Sequence, residues 1–191
     1  MEKLKEKIRR EGRTIGTEIL KVDGFLNHRM DVKFLEEVGE EFGRRFAGEK
    51  VDKILTVEAS GIAIACLAAP YFGYPPVVFA KKATPNTMDE GFFEAEARSF
   101  TKGTVSKIKV SGEYLNEGEN VLILDDFLAS GEASVAMASL VEQAGGRVVG
   151  VGAVIEKGHQ GGSDRLREKG YRVESLALID TIKEDGTIVF R

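Results

Sequence analysis

Apolar and polar positions switch between helical and strand-like spacing along the chain. Residues 2–11, EKLKEKIRRE, predict a polar helix. In DVKFLEEVGEEFGRRF (31–46), Phe34, Leu35, Val38, Phe42 and Phe46 fall on one helical face, with Asp31 at the capping position. KILTVE (53–58) predicts a strand, SGIAIACLAAPYFG (60–73) a helix ending near Gly73, and PVVFAKK (76–82) a second strand. From residue 83 to about 98 the periodicity is weak. Pro85, Asn86, Asp89 and Gly91 there favour a long loop of the kind that forms lids. FTKGTVSKIKVSG (100–112) alternates like a strand. NVLILDDF (120–127), RVVGVGAVIEK (147–157) and YRVESLALI (171–179) complete five core strands. Between them lie GEASVAMASLVEQAG, a helix stopping at Gly145-Gly146, and SDRLREKG, a short helix with Ser163 as its cap. DGTIVF near the end predicts a short peripheral strand.

The core strands are apolar nearly throughout and alternate with helices. That pattern predicts an α/β fold, a central mostly parallel sheet with helices on both faces. Ligands of such sheets sit beyond the C-terminal ends of the strands. A length of 191 residues suits one domain over 1–191. The net charge of -4 argues against nucleic acid as a partner, since such domains carry a basic stripe. No apolar run is long enough for a membrane span. The charged start, MEKLKEKIRREG, lacks the apolar core of a signal peptide. The single cysteine, Cys66, excludes an internal disulfide framework and is expected to be a buried, inert thiol; a cytoplasmic location follows.

The stretch VLILDDFLASGEA (121–133) carries the most specific chemistry. Asp125 and Asp126 stand side by side at the C-terminal end of a core strand. Adjacent like charges are costly without a partner that uses them. Alternation along a strand keeps the two from both entering the core. Ala129, Ser130 and Gly131 then offer small side chains, backbone N–H groups and a hydroxyl at a helix start, where an anion is favoured. Together these features suit a sugar diol held by carboxylates and a phosphate on the same sugar held by the loop. No GK[ST] is present, so the loop is not of the Walker type. A generic strand end with a capping Asp fits the Asp pair alone, but the whole phrase is much more specific.

VLILDDFLASGEA resembles the ribose-phosphate signature of type I phosphoribosyltransferases. KVDGFLNHRMD, TVEASGIA, VVFAKK, SFTK with VSG, VIEKG and GYRVESLALI extend the resemblance, over nearly the whole chain, to the bacterial xanthine phosphoribosyltransferases. The resemblance implies transfer of ribose 5-phosphate from phosphoribosyl pyrophosphate to N9 of xanthine, giving xanthosine 5'-monophosphate and pyrophosphate. It implies that Asp125 and Asp126 hold the ribose hydroxyls and that Ala129, Ser130, Gly131, Glu132 and Ala133 hold the 5-phosphate. It further implies a hood over the base from about residues 1–30, a flexible lid over about 83–107, Mg²⁺ carried by the donor's pyrophosphate, and a homodimer.

Ala59, Ser60 and Gly61 form a second strand-to-helix junction, which the resemblance makes the pyrophosphate loop. A plain Ser-capped helix fits the same residues. Lys81 and Lys82 end the next strand, where one or both reach pyrophosphate or simply face solvent; Lys81 is assigned to the pyrophosphate loop. Lys157 ends a core strand on the sheet edge of the Asp pair and suits a purine carbonyl. Phe127 suits either stacking on the base or the core. The resemblance places Leu20 and Asn27 in the hood: Asn27 offers the edge of xanthine a donor and an acceptor, Leu20 apolar packing or a backbone contact. His28 and His159 have no Ser or Cys in a triad arrangement and are expected to face solvent. No Cys/His cluster suggests a protein metal site, and no residue identifies itself as a general base. Two alternatives stand beside the xanthine enzyme. One is the same reaction on guanine, hypoxanthine or adenine, although Lys157 disfavours adenine, whose 6-position is a donor. The other is a non-catalytic regulator that binds phosphoribosyl pyrophosphate, although the residues before Asp31 hold no helix-turn-helix pattern.

Overall fold

The fold is that of a computed structural model, which describes residues 1–82, 91–99 and 104–191. α1 (Glu2–Glu11) buries Leu4 and Ile8 and exposes most of its charged side chains. A hairpin of β1 (Arg13–Ile15) and β2 (Ile19–Lys21) follows, and then a π-helical turn, Asp23–Asn27. Periodicity does not announce these pieces, because three to five residues are too few to show a repeat. α2 (Val32–Arg45) starts where the Asp31 carboxylate accepts the N–H of Phe34. Its predicted face is buried in full: Phe34, Leu35, Val38, Phe42 and, at its end, Phe46. Each such side chain contributes roughly 1.5–3 kcal/mol when taken from water.

β3 (Lys53–Val57) is buried throughout and leads into α3 (Ser60–Ala68). A 3-10 turn, Ala69–Phe72, continues that helix to Gly73, whose φ of 82° ends it in the left-handed region. β4 (Val77–Ala80) comes next, then an antiparallel pair, β5 (Phe92–Ser99) and β6 (Thr104–Ser111). β7 (Asn120–Leu128), α4 (Glu132–Gln143), β8 (Arg147–Lys157), α5 (Gly162–Glu168), β9 (Val173–Ile182) and β10 (Ile188–Phe190) complete the chain.

The central sheet has the order β10-β9-β8-β7-β3-β4. Every neighbouring pair is parallel except β10 with β9 at one edge. Side chains of β7 alternate between two cores. Leu122 and Leu124 meet α2 and α3, whereas Val121 and Ile123 meet α4 and the β5–β6 hairpin. Gly152 lets α2 approach the sheet, since a Cβ there would lie 2.8 Å from Phe42 Cε1 and 2.6 Å from Leu124 Cδ2. From β3 the chain proceeds to β4 on one side; β7, β8 and β9 lie on the other. The order therefore reverses between β3 and β7, and a crevice opens beyond their C-terminal ends.

Three expectations are corrected. The long loop over 83–98 is a strand from Phe92 onward: Phe93, Ala95 and Ala97 turn to the second core, and β6 supplies their backbone partners. The alternation was masked because two of its three inward residues are alanines. The remainder of the lid segment, 83–90 and 100–103, lies outside the described residues. Ser163 is not a cap. Gly161 caps α5, and the Ser163 hydroxyl turns into the interior. Cys66 is exposed, because α3 buries Gly61, Ile64, Ala65 and Ala68 on its other side. Among the described residues no helix is long and apolar enough to cross a membrane.

Candidate active site

The crevice between β3 and β7 holds a cavity of about 350 Å³, within the size range of small-molecule sites. Its walls come from the ends of β3, β4, β7 and β8 and from the inner face of the hairpin at Ala97, Ser106 and Ile108. Asp125 and Asp126 form its floor. Asp125 is only 5% exposed. Its Oδ1 accepts the N–H of Asp126 at 2.9 Å, and Asp126 Oδ1 accepts the N–H of Phe127 at 3.0 Å. Burial first, and the neighbouring Asp126 second, raise the Asp125 carboxyl well above the ordinary carboxylate range. Hydroxyl donors or a cation from a ligand would relieve that strain on the charged form.

The loop Ala129–Ser130–Gly131 runs from β7 into α4 along the same cavity, with Glu132 and Ala133 beside it. Gly131 has a φ of 80° and no side chain caps the helix, so the first amides of α4 are open to an anion. The Glu132 carboxylate pairs with Arg165, so this residue offers a ligand its backbone. After β3, Ser60 faces the cavity, with Ala59 and Gly61 flanking it and a cis peptide at Glu58–Ala59. Glycine is required at 61. A Cβ there would fall 1.9 Å from Thr56 Oγ1 and 3.5 Å from Asp125 Oδ1.

The two lysines after β4 separate. Lys82 lines the cavity, and its N–H donates to Glu58 Oε1 at 2.7 Å. Lys81 exchanges backbone hydrogen bonds with Lys109 at 2.8 and 2.9 Å, and its ammonium lies 5.9 Å from the Phe79 ring. Lys82, rather than the assigned Lys81, is the lysine that lines the cavity.

Lys157 and Phe127 meet across the cavity, with the ammonium 5.9 Å from the ring centroid. Burial lowers the Lys157 pKa, and the nearby Glu18 opposes that shift. The Lys157 ammonium donates to the carbonyl oxygen of Glu18 at 2.8 Å, which brings the β1–β2 turn over the site. Asn27, at the end of the π-helical turn, donates from Nδ2 to Asp126 Oδ2 at 3.4 Å. Its Oδ1 is buried with no partner among the described residues. Leu20 sits apart, buried in the first core. His28 is exposed, and His159 Nε2 lies 3.3 Å from Glu18 Oε2.

Sequence reasoning missed Glu18, Glu58, Ser106, Ile108 and Gln160. Ser106 and Ile108 were detectable, since alternate residues of a strand share a face. Glu18 was not, because its contact with Lys157 spans 139 positions. Among the described residues no three His, Cys, Asp or Glu side chains converge as a metal cage. Every cavity carboxylate already has a protein partner: Glu58 accepts the Lys82 N–H, Glu132 pairs with Arg165, and Asp125 and Asp126 accept the N–H groups of Asp126 and Phe127. That donor set suits Mg²⁺ whose ligands are mostly water and phosphate oxygens.

Residues 33–183 match the phosphoribosyl transferase domain family. A xanthine phosphoribosyltransferase of Clostridium perfringens is 58% identical over 191 residues, which is 100% of both chains. One of Clostridioides difficile is 53% identical, again over 100% of both chains. The crystal structure of an adenine phosphoribosyltransferase of Thermoanaerobacter pseudethanolicus superposes with a TM-score of 0.74 at 25% identity, covering 92% of this chain and 98% of its own.

Proposed function

The chain belongs to the phosphoribosyl transferase family, and on that premise we propose how it works as a purine-salvage enzyme. It transfers ribose 5-phosphate from phosphoribosyl pyrophosphate to N9 of xanthine, giving xanthosine 5'-monophosphate and pyrophosphate. The observation that carries the donor site is the Asp125–Asp126 pair on the cavity floor beside the open amides of α4. The carboxylates accept hydrogen bonds from the ribose hydroxyls. Backbone N–H groups of residues 129–133 bind the 5-phosphate. Ser60, with its neighbours Ala59 and Gly61, and the Lys82 ammonium receive pyrophosphate. Mg²⁺ carried by the donor, with the Asp125–Asp126 pair beside it, would supply neutralisation of the pyrophosphate charge.

Lys157 donates to the 6-carbonyl of the base, and Phe127 stacks on its ring. Asn27 presents its unpaired Oδ1, an acceptor, to a ring N–H of xanthine. The donor of this amide is turned to Asp126. Bond breaking at C1 creates a ribosyl cation-like centre. The protein's contribution is positioning and electrostatic stabilisation of that centre. The hood and the β5–β6 hairpin keep water from it.

Adenine is the second reading, favoured by the solved relative named for that base. Lys157 opposes it, because an ammonium cannot donate to a 6-amino group. A steady-state assay with phosphoribosyl pyrophosphate against xanthine, guanine, hypoxanthine and adenine tests the choice. The highest kcat/KM is expected with xanthine. Adenine as the best substrate would overturn the base assignment, and donor binding without turnover would favour the regulator. The proposal includes a homodimer joined in part by the exposed side of α3, which sedimentation as a monomer at micromolar concentration would refute. It also includes a cytoplasmic location, supported by a lone cysteine that leaves no internal disulfide.

A further inference from the structure

Beneath the phosphate-binding loop, α5 packs backbone against backbone. A Cβ on Gly162 would lie 2.2 Å from the carbonyl oxygen of Ala129, 2.7 Å from the nitrogen of Gly131 and 3.0 Å from the carbonyl carbon of Ser130. From the other side, a Cβ on Gly131 would lie 3.0 Å from the carbonyl oxygen of Gly162. The loop therefore takes its shape against the first residue of α5.

What holds α5 there is a buried carboxylate. Glu156 is 1% exposed, and its backbone pairs with Leu128, the residue that leads into the loop. Its Oε1 accepts the hydroxyl of Ser163, next to Gly162, at 2.5 Å. Its Oε2 accepts the hydroxyl of Ser175 on β9 at 2.5 Å. A buried carboxylate is retained where its hydrogen bonds are made. The Arg165–Glu132 pair ties α5 to the first turn of α4 as well, but Arg165 is partly exposed and that link is screened by solvent.

We propose that Glu156 is a positioning residue for donor binding, acting through Ser163 and Gly162 to hold the phosphate-binding loop in its receptive shape. The inference rests on the donor site proposed above. Convergent amides bind an anion only when their directions are set beforehand, and a small displacement of such a group weakens it steeply.

The two serines make a matched test, because each gives one hydroxyl to the same carboxylate and only Ser163 lies on α5. In the full-length protein, Ser163→Ala is expected to raise KM for phosphoribosyl pyrophosphate about fivefold, the size of one lost hydrogen bond. KM for xanthine and kcat should stay within about twofold. Ser175→Ala should leave all three within that range. In the free protein, amide exchange at 129–133 should quicken in Ser163→Ala and not in Ser175→Ala. An unchanged donor KM in Ser163→Ala, or an equal rise in both variants, overturns the proposal. Should Ser163→Ala fail to fold, Glu156→Gln probes the same link in nearly the same volume, with a raised donor KM expected and an unchanged one overturning. A wild-type protein without donor-dependent turnover would end the proposed function instead, and the exchange measurement would still decide whether the tether exists.

Discussion

The ammonium of Lys157 is bonded to the carbonyl oxygen of Glu18, 2.8 Å away and 139 positions earlier in the chain. The end of β8 and the turn between β1 and β2 are thereby joined above the cavity. An ammonium has three donors, so Lys157 can keep the Glu18 carbonyl while a second proton meets an oxopurine. Lys157→Ala should lower kcat/KM for xanthine and guanine alike by about 10- to 100-fold, the worth of a charge-assisted hydrogen bond. Parallel assays with both bases check this. A loss confined to one base would mean that Lys157 does not address the carbonyl they share.

Asn27 reaches Asp126 with its amide nitrogen and leaves Oδ1 unpaired. Asn27→Asp keeps an acceptor and sets a second carboxylate beside Asp126. KM for phosphoribosyl pyrophosphate should rise, and the ratio of kcat/KM should move towards guanine, whose amino group can donate to the new carboxylate, by about tenfold. Measuring the ratio decides it, and no movement removes Asn27 from base selection.

Asp125 has its carboxyl pKa raised by burial and by Asp126. The folded protein therefore holds this proton more tightly than the unfolded chain. The stability that goes with it is complete below the ordinary carboxylate pKa, about 4, and is lost as pH rises through the raised value. Asp125→Asn removes the ionisation. The variant should gain stability over wild type at neutral pH, with the gain shrinking towards about pH 4, while donor binding fails. Thermal unfolding across that range is the measurement, and a gain independent of pH would contradict the account. For the same reason, the donor KM of the wild type should rise as pH falls through the raised pKa.

Gly61 faces Thr56 with no space for a methyl group. Gly61→Ala should push the start of α3 away from Asp125 and cut kcat/KM by at least about 100-fold. Thr56 is a buried residue of β3. Removing its Oγ1 clears the 1.9 Å contact, so Thr56→Ala should restore part of the activity to Gly61→Ala. Absence of any recovery would show that the defect arises elsewhere.

The β5–β6 hairpin turns Ala97, Ser106 and Ile108 to the cavity. As part of a lid, its amides over 92–99 and 104–111 should exchange at least about fivefold more slowly when phosphoribosyl pyrophosphate is bound. Equal protection with and without donor would make the hairpin a fixed wall.

The layered α/β architecture was legible in the chain because periodicity is a local property. The five apolar runs are strands, and the stripe Phe34, Leu35, Val38, Phe42 and Phe46 is buried in full. The Asp125–Asp126 floor and the loop at 129–131 were legible for a related reason: a strand end, a small-residue turn and a helix start are contiguous. Other features required the folded molecule. Lys81 and Lys82 look equivalent in the chain, and only the folded molecule pairs Lys81 with Lys109 and sets Lys82 on the cavity wall. The sequence marks Gly61 and Gly162 as glycines without naming Thr56 and Ala129 as the atoms that exclude a side chain. Ser163 had the look of a cap until Glu156, seven positions away on another element, claimed its hydroxyl. Contacts such as Lys157 with Glu18 or Asn27 with Asp126 join segments that no window along the chain contains together. The chain alone determined the strands of its parallel core, its α-helices and the candidate chemistry at one strand end. Packing decided which side chains meet there, because direction and distance between elements arise only when the sheet and its helices close around a common core.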